Sequence, residues 1–112
     1  MNVPRLNRRL LLETPDQVSD GAGGFNVVWR QLGWLWGEMT ARTGRERGLS
    51  EANVSQVRYR IMVRGAPYGA AQRPLPEQRF REGARIFIIR AVAERGVDGR
   101  YLTCFVDEEV AA

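Results

Sequence analysis

Hydrophobic positions in this chain recur mostly with the two-residue period of β-strands. The clearest stretch is Gln56–Arg64, where Val57, Tyr59, Ile61 and Val63 alternate with Arg58, Arg60, Met62 and Arg64. That alternation predicts a strand with one buried face. Residues 84–93 (ARIFIIRAVA) and 100–106 (RYLTCFV) form two further apolar runs, rich in side chains that fit a pleated surface. Between them, residues 94–99 carry the pair Asp98-Gly99 and a second glycine, Gly96. Those glycines can supply the positive φ angles of a tight reversal, so the two runs are expected to form a hairpin. In its first strand Ile86, Ile88 and Val92 share one face, and Phe87 and Ile89 the other. In its second, Leu102, Cys104 and Val106 oppose Tyr101, Thr103 and Phe105. A sheet with one wet face alternates apolar and polar residues. Here both faces are largely apolar, which predicts cover on both sides. A closed barrel with a flanking element satisfies this, as does a barrel against a neighbouring subunit or the central pair of a sandwich.

The first half of the chain adds longer elements. Residues 6–14 (LNRRLLLET) read as a first strand, with a short helix as the other possibility. Residues 15–24 (PDQVSDGAGG) read as a loop, because proline, glycines, aspartates and serine dominate them. From Phe25 to Arg42 runs an aromatic strand in which Val27 and Trp29 point one way, while Leu32, Trp34 and Trp36 have the opposite parity. A bulge or sharp bend near Gly33 reconciles the two phases. Three tryptophans so close together suggest core or subunit contact rather than a ligand cage. Residues 43–55 are polar and glycine-punctuated, and residues 65–78 form an irregular segment with three prolines. The whole predicts an all-β chain, a small antiparallel β-barrel with long loops, in one domain over residues 1–112.

Composition narrows the chemistry. A chain of 112 residues supports a modest core that buries roughly two-thirds of the unfolded surface. No apolar run reaches the ~18 residues of a membrane span, and the basic first residues lack the apolar region of a signal peptide. All 17 basic residues are arginine, the net charge is +4, and lysine and histidine are absent. A DNA-facing surface explains that balance, and so does a GC-rich coding bias. The arginines of the 56–64 strand read either as a solvated row paired with carboxylates or as a nucleic-acid stripe. Without histidine there is no Ser-His or Cys-His nucleophile, and without lysine no P-loop. Cys104, the one cysteine, lies in an apolar strand and is expected to be an inert core thiol in a reducing compartment. Catalysis, metal binding and cofactor binding are therefore not expected.

The order of the pieces adds a resemblance. LNRRLLLETP leads to DGAGGF, then VWRQLGWLWGEMTARTGRE, the basic strand VRYRIMVR, QRFREGARIFIIRAVAE and a closing GRYLTCFVDEE. This ordered set resembles the phage head–tail adaptor family, specifically its small head-closure or stopper proteins, in versions found in alphaproteobacterial prophages and gene transfer agents. The resemblance implies a β-barrel subunit in a ring of its own copies below the portal and adaptor subunits, facing the tail terminator ring. It implies that the ring retains packaged double-stranded DNA without reading its sequence and docks the tail. Such a protein would assemble in the bacterial cytoplasm and end in the neck of the particle, with no membrane contact. By position, the family's gate loop corresponds to a segment holding Arg42, Gly44, Arg45, Arg47 and Gly48. Arg58, Arg60 and Arg64 are the candidate basic strand facing a subunit or the channel. The competing readings are a tail terminator of the same particle and a free nucleic-acid-binding barrel. The latter should interleave aromatics with arginines on an exposed face; here the basic strand sets Met62 among its arginines, and the aromatics sit elsewhere or on the opposite parity.

Overall fold

The computed structural model describes residues 3–42 and 56–109. Six strands follow one another: β1 (Arg8–Ser19), β2 (Phe25–Ala41), β3 (Gln56–Arg64), β4 (Arg79–Glu82), β5 (Arg85–Arg95) and β6 (Tyr101–Glu109). All pairs are antiparallel, and the order β1-β2-β3-β6-β5-β4 closes on itself as a barrel. The expected all-β barrel is the observed fold.

Closure decides which residues go inside. Leu10 and Leu12 of β1, Ile61 and Val63 of β3, Phe80 of β4, and Phe87 and Ile89 of β5 are fully buried, together with Leu102, Cys104 and Val106 of β6. These are the alternate positions of their strands, as the pleat requires. Burying each of the larger side chains contributes on the order of 1.5–3 kcal/mol. The Cys104 thiol sits among them, and desolvation pushes its pKa up to about 12, so it is a core side chain without reactivity.

The hairpin at residues 84–106 forms, and its strands run further than expected, to Arg95 and from Tyr101 to Glu109. Gly96 and Gly99 both take positive φ, 96° and 63°. Two details differ. The apolar stretch is preceded by a separate short strand, β4, which turns into β5 at Gly83-Ala84. A bulge between Ile89 and Ala91 shifts the β5 register. Before it Phe87 and Ile89 face the core; after it Val92 packs against that core too, rather than sharing a face with Ile86 and Ile88. The outer side is partly covered: Thr103 is buried, and Tyr101, Phe105, Ile86 and Ile88 are half-buried.

Residues 15–19 are not loop but the continuation of β1. They pair with β2 from Pro15↔Trp29 to Ser19↔Phe25, and only residues 20–24 make the turn. Composition misleads here because this ribbon needs no core: Gln17, Val18 and Ser19 are exposed, and the pairing is backbone to backbone. Asp20 organises the turn by accepting the Ala22 and Gly24 amides at 2.8 and 3.0 Å. The predicted break near Gly33 is present. The register steps from Leu12↔Gly33 to Glu13↔Gln31, leaving Leu32 as the extra residue, with Gly33 at φ 147°.

Gly99 tests the second hairpin. Its φ of 63° is a conformation that a β-branched residue adopts only under strain, and an added Cβ would sit 3.2 Å from the Glu94 carboxylate carbon. Gly99→Val is expected to cost on the order of 1–3 kcal/mol and to lower Tm by at least about 4 °C. Thermal unfolding by circular dichroism measures this; an unchanged Tm contradicts the turn geometry.

Candidate interaction surfaces

Because the barrel interior is filled by side chains, the surfaces available to partners lie outside it. The Leu32 bulge creates one of them. β1 is regular, so Arg9, Leu11, Glu13 and Pro15 share its outer face, and their partners across the ladder are Trp36, Trp34, Gln31 and Trp29. The bulge thus brings all three tryptophans to one face. Leu32 does not join them, as parity had suggested, but packs against the core. Trp34 and Trp36 are 52% and 55% exposed, so they are not core residues.

Arginines from two other strands complete this face. The Arg9 guanidinium lies 4.4 Å from the Trp34 ring centroid, and that of Arg79 lies 4.0 Å from Trp29. Arg79 is held there by Glu13, whose buried carboxylate accepts its Nε at 2.7 Å and lies 3.6 Å from Arg81. The expected separation of aromatics from arginines is therefore overturned. β1 brings Arg9 and β4 brings Arg79 over the tryptophans of β2. No local pattern in the chain reports that juxtaposition; the β1–β2 ladder sets Arg9 there and the β1–β4 pairing sets Arg79.

The second surface is the outer face of β2, β3 and β6. Arg60 and Met62 stand between Thr40 and Glu38 on one side and Phe105 and Thr103 on the other. The N-terminal segment crosses this face, with the Arg5 amide donating to Glu38 Oε2 at 2.9 Å. An open groove of about 1170 Å³ results, rimmed by Val3, Arg60, Arg95, Val97, Arg100 and Tyr101, among others. The candidate basic strand divides on it. Arg60 lines the groove and Arg64 is exposed at the strand end. Arg58 faces Asp107 at 3.8 Å, and Asp107 also accepts Arg90 Nε at 3.0 Å. At Arg58, then, the row is paired with a carboxylate on a neighbouring strand. Arg42, at the end of β2, donates its amide to the Arg58 carbonyl and stacks 5.5 Å from the Phe105 ring. Gly44, Arg45, Arg47 and Gly48 lie outside the described residues.

Charged side chains of inward parity close one mouth of the barrel. Arg8 donates to Glu82 at 2.6 and 2.9 Å, Arg85 reaches Glu82 at 3.7 Å, and Arg85 donates to Glu108 at 2.8 and 3.0 Å. Arg85 also lies 5.0 Å from the Phe87 ring, which meets Tyr59 edge-on at 5.9 Å. The hydrogen bonds from Arg8 and Arg85 hold the Glu82 and Glu108 carboxyls below their ordinary range, against the opposing effect of burial. Among the described residues no cluster of three or more His, Cys, Asp or Glu is placed to hold a metal ion.

With this geometry in place, comparison with known proteins adds three findings. The profile of the phage head completion protein family matches residues 1–109. A chain in the virion of a native gene transfer agent particle is 54% identical, with a TM-score of 0.81, over 98% of this chain and all of that one. A protein of Shigella flexneri 2a, solved in solution, shares the fold with a TM-score of 0.67 at 20% identity, over 96% of each chain. No curated protein matches.

The ion-pair chain makes stability acid-sensitive in a defined direction. Glu82 and Glu108 are depressed below the ordinary value of 4.5. Their contribution is fully present above that pH and is lost as pH falls through the folded values. Tm should therefore hold nearly constant from pH 7 to about 5 and fall below about 4.5. The double variant Glu82→Gln, Glu108→Gln should start lower at pH 7 and show a shallower acid decline in calorimetry. An equally steep decline would assign the acid sensitivity to other carboxylates.

Proposed function

The chain belongs to the phage head completion protein family, and on that premise we propose that it is the head-closure subunit of a phage or phage-like particle. In this reading copies of the barrel form a ring between the portal or adaptor ring and the tail terminator ring. The ring retains packaged double-stranded DNA and presents the face on which the tail docks. The protein assembles in the bacterial cytoplasm and remains in the neck of the particle, in a structural rather than a catalytic part.

One observation carries this reading: the likeness to a chain of a gene transfer agent virion extends over both chains almost entirely. The geometry agrees with it. A small barrel whose interior is packed has no room for a ligand and does its work through its outside. Arg60 and Arg64 offer positive charge on β3, while Asp107 offsets Arg58. Such a surface attracts a phosphate backbone weakly and has no means of reading bases, which suits DNA that must pass without being gripped.

A second reading, a free nucleic-acid-binding barrel, has the tryptophan–arginine face in its favour. Base stacking needs bare rings, however, and guanidinium groups already lie over Trp29 and Trp34. Exposed Trp and Arg packed together are the composition of a protein–protein hot spot.

Two experiments separate these readings. Deleting the coding sequence in a producing cell should give heads that package DNA but lose it and acquire no tails; tailed, filled particles without the protein would overturn the proposal. In the protein itself, Trp34→Ala with Trp36→Ala should cost the free barrel about 1 kcal/mol or less, since both rings are half in solvent. The same variant should be depleted from purified particles several-fold. Normal incorporation, together with lost binding to single-stranded DNA, would favour the second reading.

A further inference from the structure

The Trp face lies on the barrel, but β1 and β2 continue beyond it as a two-stranded arm. From Thr14↔Arg30 to Ser19↔Phe25 the two strands pair with each other, and no described strand pairs with their outer edges. Val18, Phe25, Val27 and Val28 are 47–65% exposed, and the register puts them on both faces of the ribbon. A free two-stranded ribbon is marginal in water, and beyond Trp29 its apolar side chains stay exposed on both faces, uncovered by the described residues. The tip carries carboxylates at Asp16 and Asp20. Asp16 is shared with Arg30 at 2.7 Å, whereas Asp20 is held ionised by the Ala22 and Gly24 amides.

The groove on β2, β3 and β6 has the complementary character. Its rim carries Arg60, Arg95 and Arg100, and exposed apolar side chains stand among them, Val97 at 99% and Val3 at 74%. The arm cannot fill its own groove. The tip is at Phe25 and the groove begins at Glu38, on the same strand, which places them on the order of 40 Å apart at about 3.3 Å per residue.

The geometry points to docking of the arm of one copy in the β2–β3–β6 groove of the next. The contact is heterologous, since the two patches differ and lie at opposite ends of β2. Repeated contacts of this kind close into a ring when the rotation between neighbours permits. The inference rests on the ring reading above and gives it a specific joint: acidic, apolar tip into basic, apolar groove.

The test uses particles from cells whose only source of the protein is a variant with Ala22→Cys at the tip and Val97→Cys at the rim. Both positions are exposed, and the native Cys104 is buried, so within this chain thiol chemistry is confined to the introduced pair. Particles treated with bismaleimidoethane should yield a ladder of covalent multimers of this chain, and each single-cysteine variant should yield none. Mixed particles carrying the two single variants together should give dimers. If the protein is present in particles by immunoblot but stays unlinked, or links to a chain of another mass, the arm–groove joint is wrong while the neck reading stands. If the protein is absent from particles, both fall.

Discussion

The barrel depends on a short seam. β1 and β4 meet over only three register pairs, Leu11↔Arg81, Leu12↔Phe80 and Glu13↔Arg79, and without them the six strands would be an open sheet. So short a ladder is reinforced by charge. Glu13 is buried on it and accepts Arg79, and Arg8 donates to Glu82 at its other end. A buried carboxylate is costly unless its partners are in place, so Glu13 favours the one register that brings Arg79 and Arg81 to it. Beyond Glu13, β4 has ended and, among the described strands, β1 pairs only with β2. The two strands then leave the barrel together. The arm is thus a consequence of where the seam stops.

Much of this was legible in the chain. The 56–64 alternation, the Asp98-Gly99 reversal and the phase change at Gly33 each follow from local chemistry, and each is where it was expected. The misjudged positions share a cause. Leu32 is itself a bulged residue and Val92 follows a bulge, and one extra residue in a strand reverses every side chain after it. The phase change of β2 was visible because large aromatics mark both sides of it. That of β5 was not, because Ala91 and Ala93 follow Arg90 and mark no face. The 15–19 ribbon was hidden because it satisfies its backbone without burying side chains, leaving composition to speak for a loop.

The surfaces were the least legible part. The arginines that matter to the tryptophans are Arg9, which the β1–β2 ladder sets beside Trp34, and Arg79, which only barrel closure brings to Trp29. The arginine row on β3, obvious in the sequence, is partly neutralised by Asp107. Barrel closure therefore redistributes the chemistry. It hides the apolar positions that define the strands and gathers on the outside a Trp–Arg face, a basic groove and an apolar arm.

The central claim is that this protein acts through those outer surfaces when built into a particle. Hydroxyl-radical labelling, read residue by residue by mass spectrometry on the free protein and on purified particles, tests it most directly. The account predicts that Phe25, Trp34 and Trp36 are labelled strongly in the free barrel and are protected in the particle, while buried Phe80 and Phe87 are unlabelled in both. Equal labelling of Phe25, Trp34 and Trp36 in the two states would contradict it.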